Sequence, residues 1–183
     1  MRYGTITTMA MAYEIRRVES EEWRELRALT LQALQDSPAA FSTSYADAAA
    51  DDDAAWQERA AREAGSRTSA TFVATADSGR TWVGMTSSGP LDEVPGHAHV
   101  HGVFVAPAHR GGQARLAGRL MDIGIDWART RTDATWLTLG VHEDNERARV
   151  FYRRIGFSET GKIIPYALDP SKKVCIMGYD AFR

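Results

Sequence analysis

Asn145, Ala148 and Tyr152 stand three and four positions apart in the run NERARVFY. On a helix, at about 100° per residue, those offsets bring all three to one face. Leu137, Leu139 and Val141 form a short apolar strand just before them, and a polar turn separates the two. An amide, a small residue and a phenol along one helical stripe make a ligand wall. The phenol can donate a proton, and the amide can cap the helix, contact a ligand, or do both. The plainer reading of Tyr152 is a core tyrosine with its hydroxyl satisfied elsewhere.

A second group lies on the strand His97 to Val105. Strict alternation puts His97, His99, His101, Val103 and Val105 on one side and Ala98, Val100, Gly102 and Phe104 on the other. An imidazole with a pKa near ~6.5 can accept a proton at neutral pH, so His99 and His101 are candidate bases. His142, Glu143 and Glu93 are further candidates. Three histidines also suggest a metal, but spacing of two along one strand spreads them over roughly 13 Å, too far for one ion. A solvated strand start is the bland alternative.

The third group follows at once. Pro107 stops the strand, Arg110-Gly111-Gly112-Gln113 makes a permissive turn, and a helix carries Leu116, Leu120, Ile123 and Trp127 on one stripe. A helix start offers unpaired N–H groups and partial positive charge. The glycines allow close backbone approach, and Arg110 and Arg115 add charge, so an anion such as a diphosphate fits here.

These groups need a scaffold. Tyr13 to Val18 reads as a first strand. Ser20 can cap a helix whose first turn carries Glu21 and Glu22 and which ends before Asp36-Ser37-Pro38. Ala39 to Ala50 reads as irregular. Asp51, Asp52 and Asp53 read as cap and dipole partners of a helix running to about Glu63, not as a metal site. Thr71–Ala76 and Trp82–Ser87 pair as a hairpin across Asp77-Ser78-Gly79, and a longer loop leads to His97. Thr135 to Val141 is a strand, the Asn145 helix follows, and Phe157–Lys162 and Val174–Tyr179 close the chain. The order is β-α-α-β-β-β-α-β-α-β-β, one mixed α/β domain over residues 12–183, preceded by a loose extension over 1–11 or an upstream start before Met9 or Met11.

The composition narrows the function classes. A length of 183 residues is enough for one full core, and a net charge of −2 provides no global field for nucleic acid or an acidic membrane. The lone Cys175 excludes an internal disulfide framework and fits a reducing cytoplasm. No apolar run approaches the ~18–20 residues that span a bilayer, and the first residues lack the apolar core of a secretory signal.

The pattern N-x-x-A-x-x-F-Y-x-x-x-G-F from Asn145 to Phe157, after L-x-V, resembles the closing motif of the GNAT superfamily of N-acetyltransferases. V-x-P-x-x-R-G, Val105 to Gly111, is similar to the central motif of the same family, which binds the pyrophosphate of acetyl-CoA. The pattern then departs. Gln113 and Arg115 stand where the family carries small residues, the segment is about two residues longer, and a second alignment puts Ala117 at the last small position.

The resemblance implies a mostly antiparallel central sheet with flanking helices (the acyl-CoA N-acyltransferase fold). It implies transfer of an acetyl group from acetyl-CoA, as co-substrate and without a metal, to the primary amine of a small molecule or peptide. Tyr152 would be the general acid, and His99 or His101 would stand near the usual place of the base. A bulge at Val103, Phe104 and Val105 would hold pantetheine and the acetyl carbonyl. Arg110, Gly111, Gly112, Gln113, Ala114 and Arg115 would hold the phosphates, and Asn145 and Ala148 would contact the coenzyme. Gly140 stands where some relatives carry a glutamate. Phe41, Tyr45 and the Asp51 cluster would wall the acceptor site, which would suit a cationic amine. Relatives commonly pair as dimers, and the expected setting is cytoplasmic, with no nucleic-acid or membrane partner. The rival is a module of the same fold that binds acyl-CoA without turnover.

Overall fold

The computed structural model describes residues 13–91, 94–112 and 115–182. The expected extension over 1–11 and the candidates Glu93, Gln113 and Ala114 lie outside them. The strands are β1 (Glu14–Arg17), β2 (Ala70–Ala76), β3 (Thr81–Pro90), β4 (His97–Val105), β5 (Trp136–His142), β6 (Phe157–Tyr166) and β7 (Asp169–Tyr179). The helices are α1 (Trp23–Asp36), α2 (Tyr45–Ala50), α3 (Asp53–Gly65), α4 (Leu116–Arg131) and α5 (Glu146–Arg154), with 3₁₀ turns at Pro38–Ala40 and Pro107–His109.

The seven strands form one sheet in the order β1-β2-β3-β4-β5-β7-β6. Every neighbouring pair is antiparallel except β4 and β5. α4 and α5 cover one face. There Val100, Met121, Ile125, Leu139, Tyr152 and Met177 share one buried cluster, while Val83, Val105, Leu116 and Leu120 share the next. On the other face Leu29 and Ala33 of α1 pack on Val73, Met85 and Phe104. Trp23, Leu26, Trp56 and Ala60 join α1 to α3 above it. Several of these side chains are entirely out of water, and each such leucine contributes roughly 1.5–3 kcal/mol of transfer free energy.

Five expectations change. Ala39 to Ala50 is not irregular: the Ser44 hydroxyl accepts the Asp47 N–H at 3.0 Å and starts the short helix α2. Ser20 does not cap α1. Glu22 stands at the cap position, and its carboxylate accepts Glu19 N–H at 2.9 Å and pairs with Arg16 at 2.5 Å. The buried side of α4 is centred on Leu120, Met121, Gly124, Ile125 and Ala128, so Ile123 and Trp127 only flank it. Gly124 faces Thr86 of β3, and a Cβ there would make ordinary contact at 3.6 Å. β6 and β7 are longer than expected. Pro165 is accommodated because β6 is an edge strand, where a missing N–H is tolerated.

The fifth change concerns β4, whose alternation is broken. Met85 pairs with Phe104 and Ser87 with His101, so Gly102 and Val103 together face the single residue Thr86. Gly102 has φ +63°, a backbone that glycine adopts without strain, and the strand bends there. The extra residue reverses the phase. Val103 and Val105 join Ala98 and Val100 on the α4 face, and Phe104 joins the α1 face with the histidines.

Candidate active site

The bulge opens a cleft. β4 and β5 pair only from His97/Trp136 to Val100/Leu139; beyond that point they part. The gap is a cleft of about 430 Å³ that reaches both faces of the sheet. Gly102 and Val103 form one wall, while Val141, Asn145, Ala148 and Tyr152 form the other.

Local chemistry builds the second wall. Asn145 is the N-cap of α5, its Oδ1 accepting the Ala148 N–H at 3.1 Å. Tyr152 sits one turn below Ala148 and is buried, its ring held by Phe151 and Phe157 at centroid separations of 5.3 and 5.9 Å. Its hydroxyl has no hydrogen-bond partner among the described residues. Burial raises the phenol's pKa, so the group stays protonated and able to donate. The structure thus brings together the three residues of the predicted stripe.

The first wall is held by long-range contacts. His97 Nε2 lies 2.8 Å and His99 Nδ1 2.9 Å from the same hydroxyl, Thr138 Oγ1 of β5. Thr138 is itself buried. Burial, aided by the neighbouring His101 and His97, pushes the His99 imidazole down to about 4. His101 is solvent-exposed inside a protein-rich cleft; burial lowers its pKa, while Glu63 and Arg59 of α3 act on it with opposite signs. Both rings are neutral at pH 7. Among the described residues no group of three or more histidine, cysteine, aspartate or glutamate side chains is placed to hold a metal ion.

The other candidate bases are engaged. Glu143 accepts the Lys173 N–H at 2.9 Å and its own N–H bonds Lys173 O, which locks the turn before α5 to β7. Buried His142 accepts the Asp144 N–H on Nδ1 and meets the Tyr166 ring edge-on at 4.8 Å.

Arg110 and Arg115 occupy different situations in the turn after β4. Arg110 donates from Nε to Val105 O at 2.7 Å, pairs with Asp36 at the end of α1, and lies 5.6 Å from the Phe104 ring centre. The Arg110 and Ser37 hydrogen bonds hold the Asp36 carboxyl below its ordinary range. Arg115 is exposed and has no ion-pair partner among the described residues. It takes φ +46° at the N-cap of α4 and offers no side-chain cap. No side-chain cap therefore serves the first turn of α4 among the described residues. Gly111 and Gly112 are left-handed, at φ +73° and +68°. A side chain at Gly111, Gly112 or Gly118 would meet nothing within 4 Å, so the backbone is open to a ligand.

On the far side of the sheet, Phe41, Ser42 and Thr43 line the cleft opposite Ile164 and Tyr166. The Tyr166 hydroxyl ties the two together by donating to Phe41 O at 2.9 Å. Tyr45 and the Asp51 cluster do not line this cleft. Asp52 caps α3 and Asp53 pairs with Arg27 at 3.5 Å. Sequence reasoning passed over Thr138, Arg59, Lys162 and Tyr166 as cleft residues. Thr138 reads as an ordinary strand residue, and Tyr166 meets Phe41 across 125 positions.

The sequence model of the Acetyltransferase (GNAT) family matches residues 16–157. No curated protein matches by sequence. Among solved structures, a GNAT-family acetyltransferase from Streptococcus pneumoniae superposes with a TM-score of 0.75 at 18% identity, over 91% of this chain and 98% of that one. Spermidine N-acetyltransferase from Vibrio cholerae, solved with CoA and spermine, gives 0.70 at 16% identity over 93% and 97%. Ribosomal-protein-alanine N-acetyltransferase from Brucella melitensis gives 0.66 at 21% over 90% and 98%. The parted strands, the open turn before α4 and the capped helix bearing Tyr152 thus stand on a shared fold, and the chain belongs to the GNAT family of acetyltransferases.

Proposed function

We propose that this protein transfers an acetyl group from acetyl-CoA to a primary amine of a small molecule or peptide by direct attack, in the cytoplasm. The observation that carries this is the Tyr152 hydroxyl, without a hydrogen-bond partner among the described residues, in the cleft wall where β4 and β5 part. Acetyl-CoA supplies the acyl group as a thioester, and the protein supplies position, charge and proton transfer.

The site fits that co-substrate. The first turn of α4, without a side-chain cap among the described residues, and the left-handed backbone at Gly111 and Gly112 suit a diphosphate, with Arg115 as the available cation. Arg110, expected to contact the phosphates directly, serves in this reading as the strut that holds the turn to α1. Backbone groups of Val103, on the edge of β4 that β5 has left, face the cleft and suit the pantetheine and acetyl carbonyl. Asn145 and Ala148 close the opposite side. Tyr152 donates its proton to the departing thiolate.

The amine must lose a proton, and its ordinary pKa is near ~10.4. His99 and His101 are neutral and line the cleft, so either can take that proton. The charged side chains among the described residues lining the cleft are Arg59 and Lys162, both cations. That lining favours an acceptor carrying no second positive charge, and narrows the cationic amine that the acidic patches of the sequence would suit. Thermal-shift titration with coenzyme A and acetyl-CoA, then thiol release across an amine panel, tests the proposal. Stabilisation with thiol release is expected. No shift at millimolar ligand would overturn it, and binding without release would leave an acyl-CoA-binding module.

A further inference from the structure

His97 and His99 share one hydroxyl. Thr138 Oγ1 stands 2.8 Å from His97 Nε2 and 2.9 Å from His99 Nδ1, across 41 and 39 positions of sequence. A hydroxyl has one proton to give and lone pairs to receive with, so it can accept from one ring and donate to the other. His99 Nε2 has no partner among the described residues, and the ring lines the cleft. His97 lies at the start of β4. It lines this cleft and also a second hollow of about 500 Å³ beside Pro95 and the end of α4, which leads outward.

We propose that Thr138 is a positioning residue that joins His99 and His97 into a proton relay, carrying the proton lost by the acceptor amine from the cleft to the rim. The inference rests on the acetyl-transfer reading above and selects His99 over His101 as the base. At rest His99 carries its proton on Nδ1 and donates it to Thr138, while Thr138 donates to His97 Nε2. As the amine nitrogen bonds the acetyl carbon, its proton moves to His99 Nε2. The Nδ1 proton moves to Thr138 Oγ1, and the Thr138 proton moves to His97 Nε2. His99 ends neutral with its proton on Nε2, Thr138 ends as a hydroxyl, and the charge rests on His97, which loses a proton to water. Rotation of the hydroxyl and tautomer exchange of the His99 and His97 rings with water, each ring taking a proton on one nitrogen as it gives one from the other, restore the start.

The relay answers a difficulty in the site. A ring that resists protonation is a poor resting base, but a ring that gives up one proton while taking another never becomes an imidazolium. The charged and titratable groups around it fit that direction. His101 flanks His99 on β4, Arg59 and Glu63 of α3 act at the His101 end, and Lys162 of β6 acts on His97. Glu63, the one carboxylate among them, acts on His101 and not on His99.

The test has two arms. The first reads ring nitrogens by ¹⁵N NMR in histidine-labelled protein at pH 7.5, and needs no acceptor. His99 should carry its proton on Nδ1 and His97 should leave Nε2 bare; a proton on His99 Nε2, or on His97 Nε2, overturns the relay. The second arm uses Thr138→Val and Thr138→Ser with the amine of the panel that releases thiol fastest. Valine should lower kcat by about tenfold to a hundredfold and move the pH profile, with the coenzyme A thermal shift kept, and serine should restore both. An unchanged kcat for valine, or a loss that serine does not restore, overturns the relay. If wild-type protein releases no thiol with any amine, acetyl transfer fails, while the NMR arm still judges the relay.

Discussion

The two walls of the cleft are built on different principles. In the wall from β5 into α5 the α5 side chains are held by near neighbours, Asn145 capping onto Ala148 and Tyr152 leaning on Phe151 and Phe157, while Glu143 ties the turn before α5 to β7. The wall from β4 into the turn before α4 is held by distant ones. Arg110 reaches Asp36 across 74 positions, and the bulge at Gly102 exists only against β3. A wall built locally fixes one side chain firmly, whereas a wall built from distant parts can join several groups into a network. In the proposed mechanism the acid sits on the first wall and the base and phosphate contacts on the second.

The largest effect that separates the walls is expected from Tyr152→Phe. The ring packing is kept and only the hydroxyl is lost, so kcat should fall by about 10²- to 10⁴-fold while coenzyme A affinity changes little. Single-turnover thiol release beside a coenzyme titration measures both. An unchanged turnover would remove Tyr152 as the acid and reduce the α5 wall to packing.

Arginine replacements sharpen the other wall. Arg115→Ala should weaken coenzyme A binding about tenfold or more, as loss of a charge-assisted contact does. Arg110→Ala should instead lower the melting temperature. It removes a partly exposed ion pair, a bond to Val105 O and a contact with the Phe104 ring, together roughly 1–2 kcal/mol. Calorimetric titration and melting curves on both variants give the ranking. A larger affinity loss for Arg110→Ala would return that side chain to the phosphates.

The same division decides what could be read from the sequence. Asn145, Ala148 and Tyr152 were legible because one helical period and one cap connect them. The strand limits of β4 were legible too, since Pro107 ends it and its apolar residues alternate. The phase of β4 was not: a bulge is an agreement between two strands, and Gly102 alone only permits it. Thr138 carried no signal, because a threonine in a strand acquires its meaning from the rings opposite. Arg110 showed its charge but not its partner, and Asp36 looked like the ordinary end of a helix. Local rules reached α5 and most of the sheet, and stopped where long-range pairing assigns the work.

The smallest effect is in stability, and it tests the burial of the β4 wall directly. In the unfolded chain His99 binds a proton near its ordinary 6.5, but in the folded protein only near about 4. Between those values the unfolded state holds more protons, so stability falls as pH drops through this window and rises as pH climbs. The full difference is at most ~3 kcal/mol, and less because cleft water reaches the ring. His97 and His101 are lowered as well and act with the same sign. Asp36 and Glu22, both held below their ordinary range, add their losses only below about 4.5, where carboxyls of the unfolded chain take up protons. His99→Asn cannot titrate, so its denaturant midpoint should fall less steeply than that of the wild type from pH 6.5 to 5. Equal slopes would mean that the His99 ring is protonated as freely in the folded protein as outside it. A shielded proton relay could not then run through it, although α5 and its phenol would be untouched.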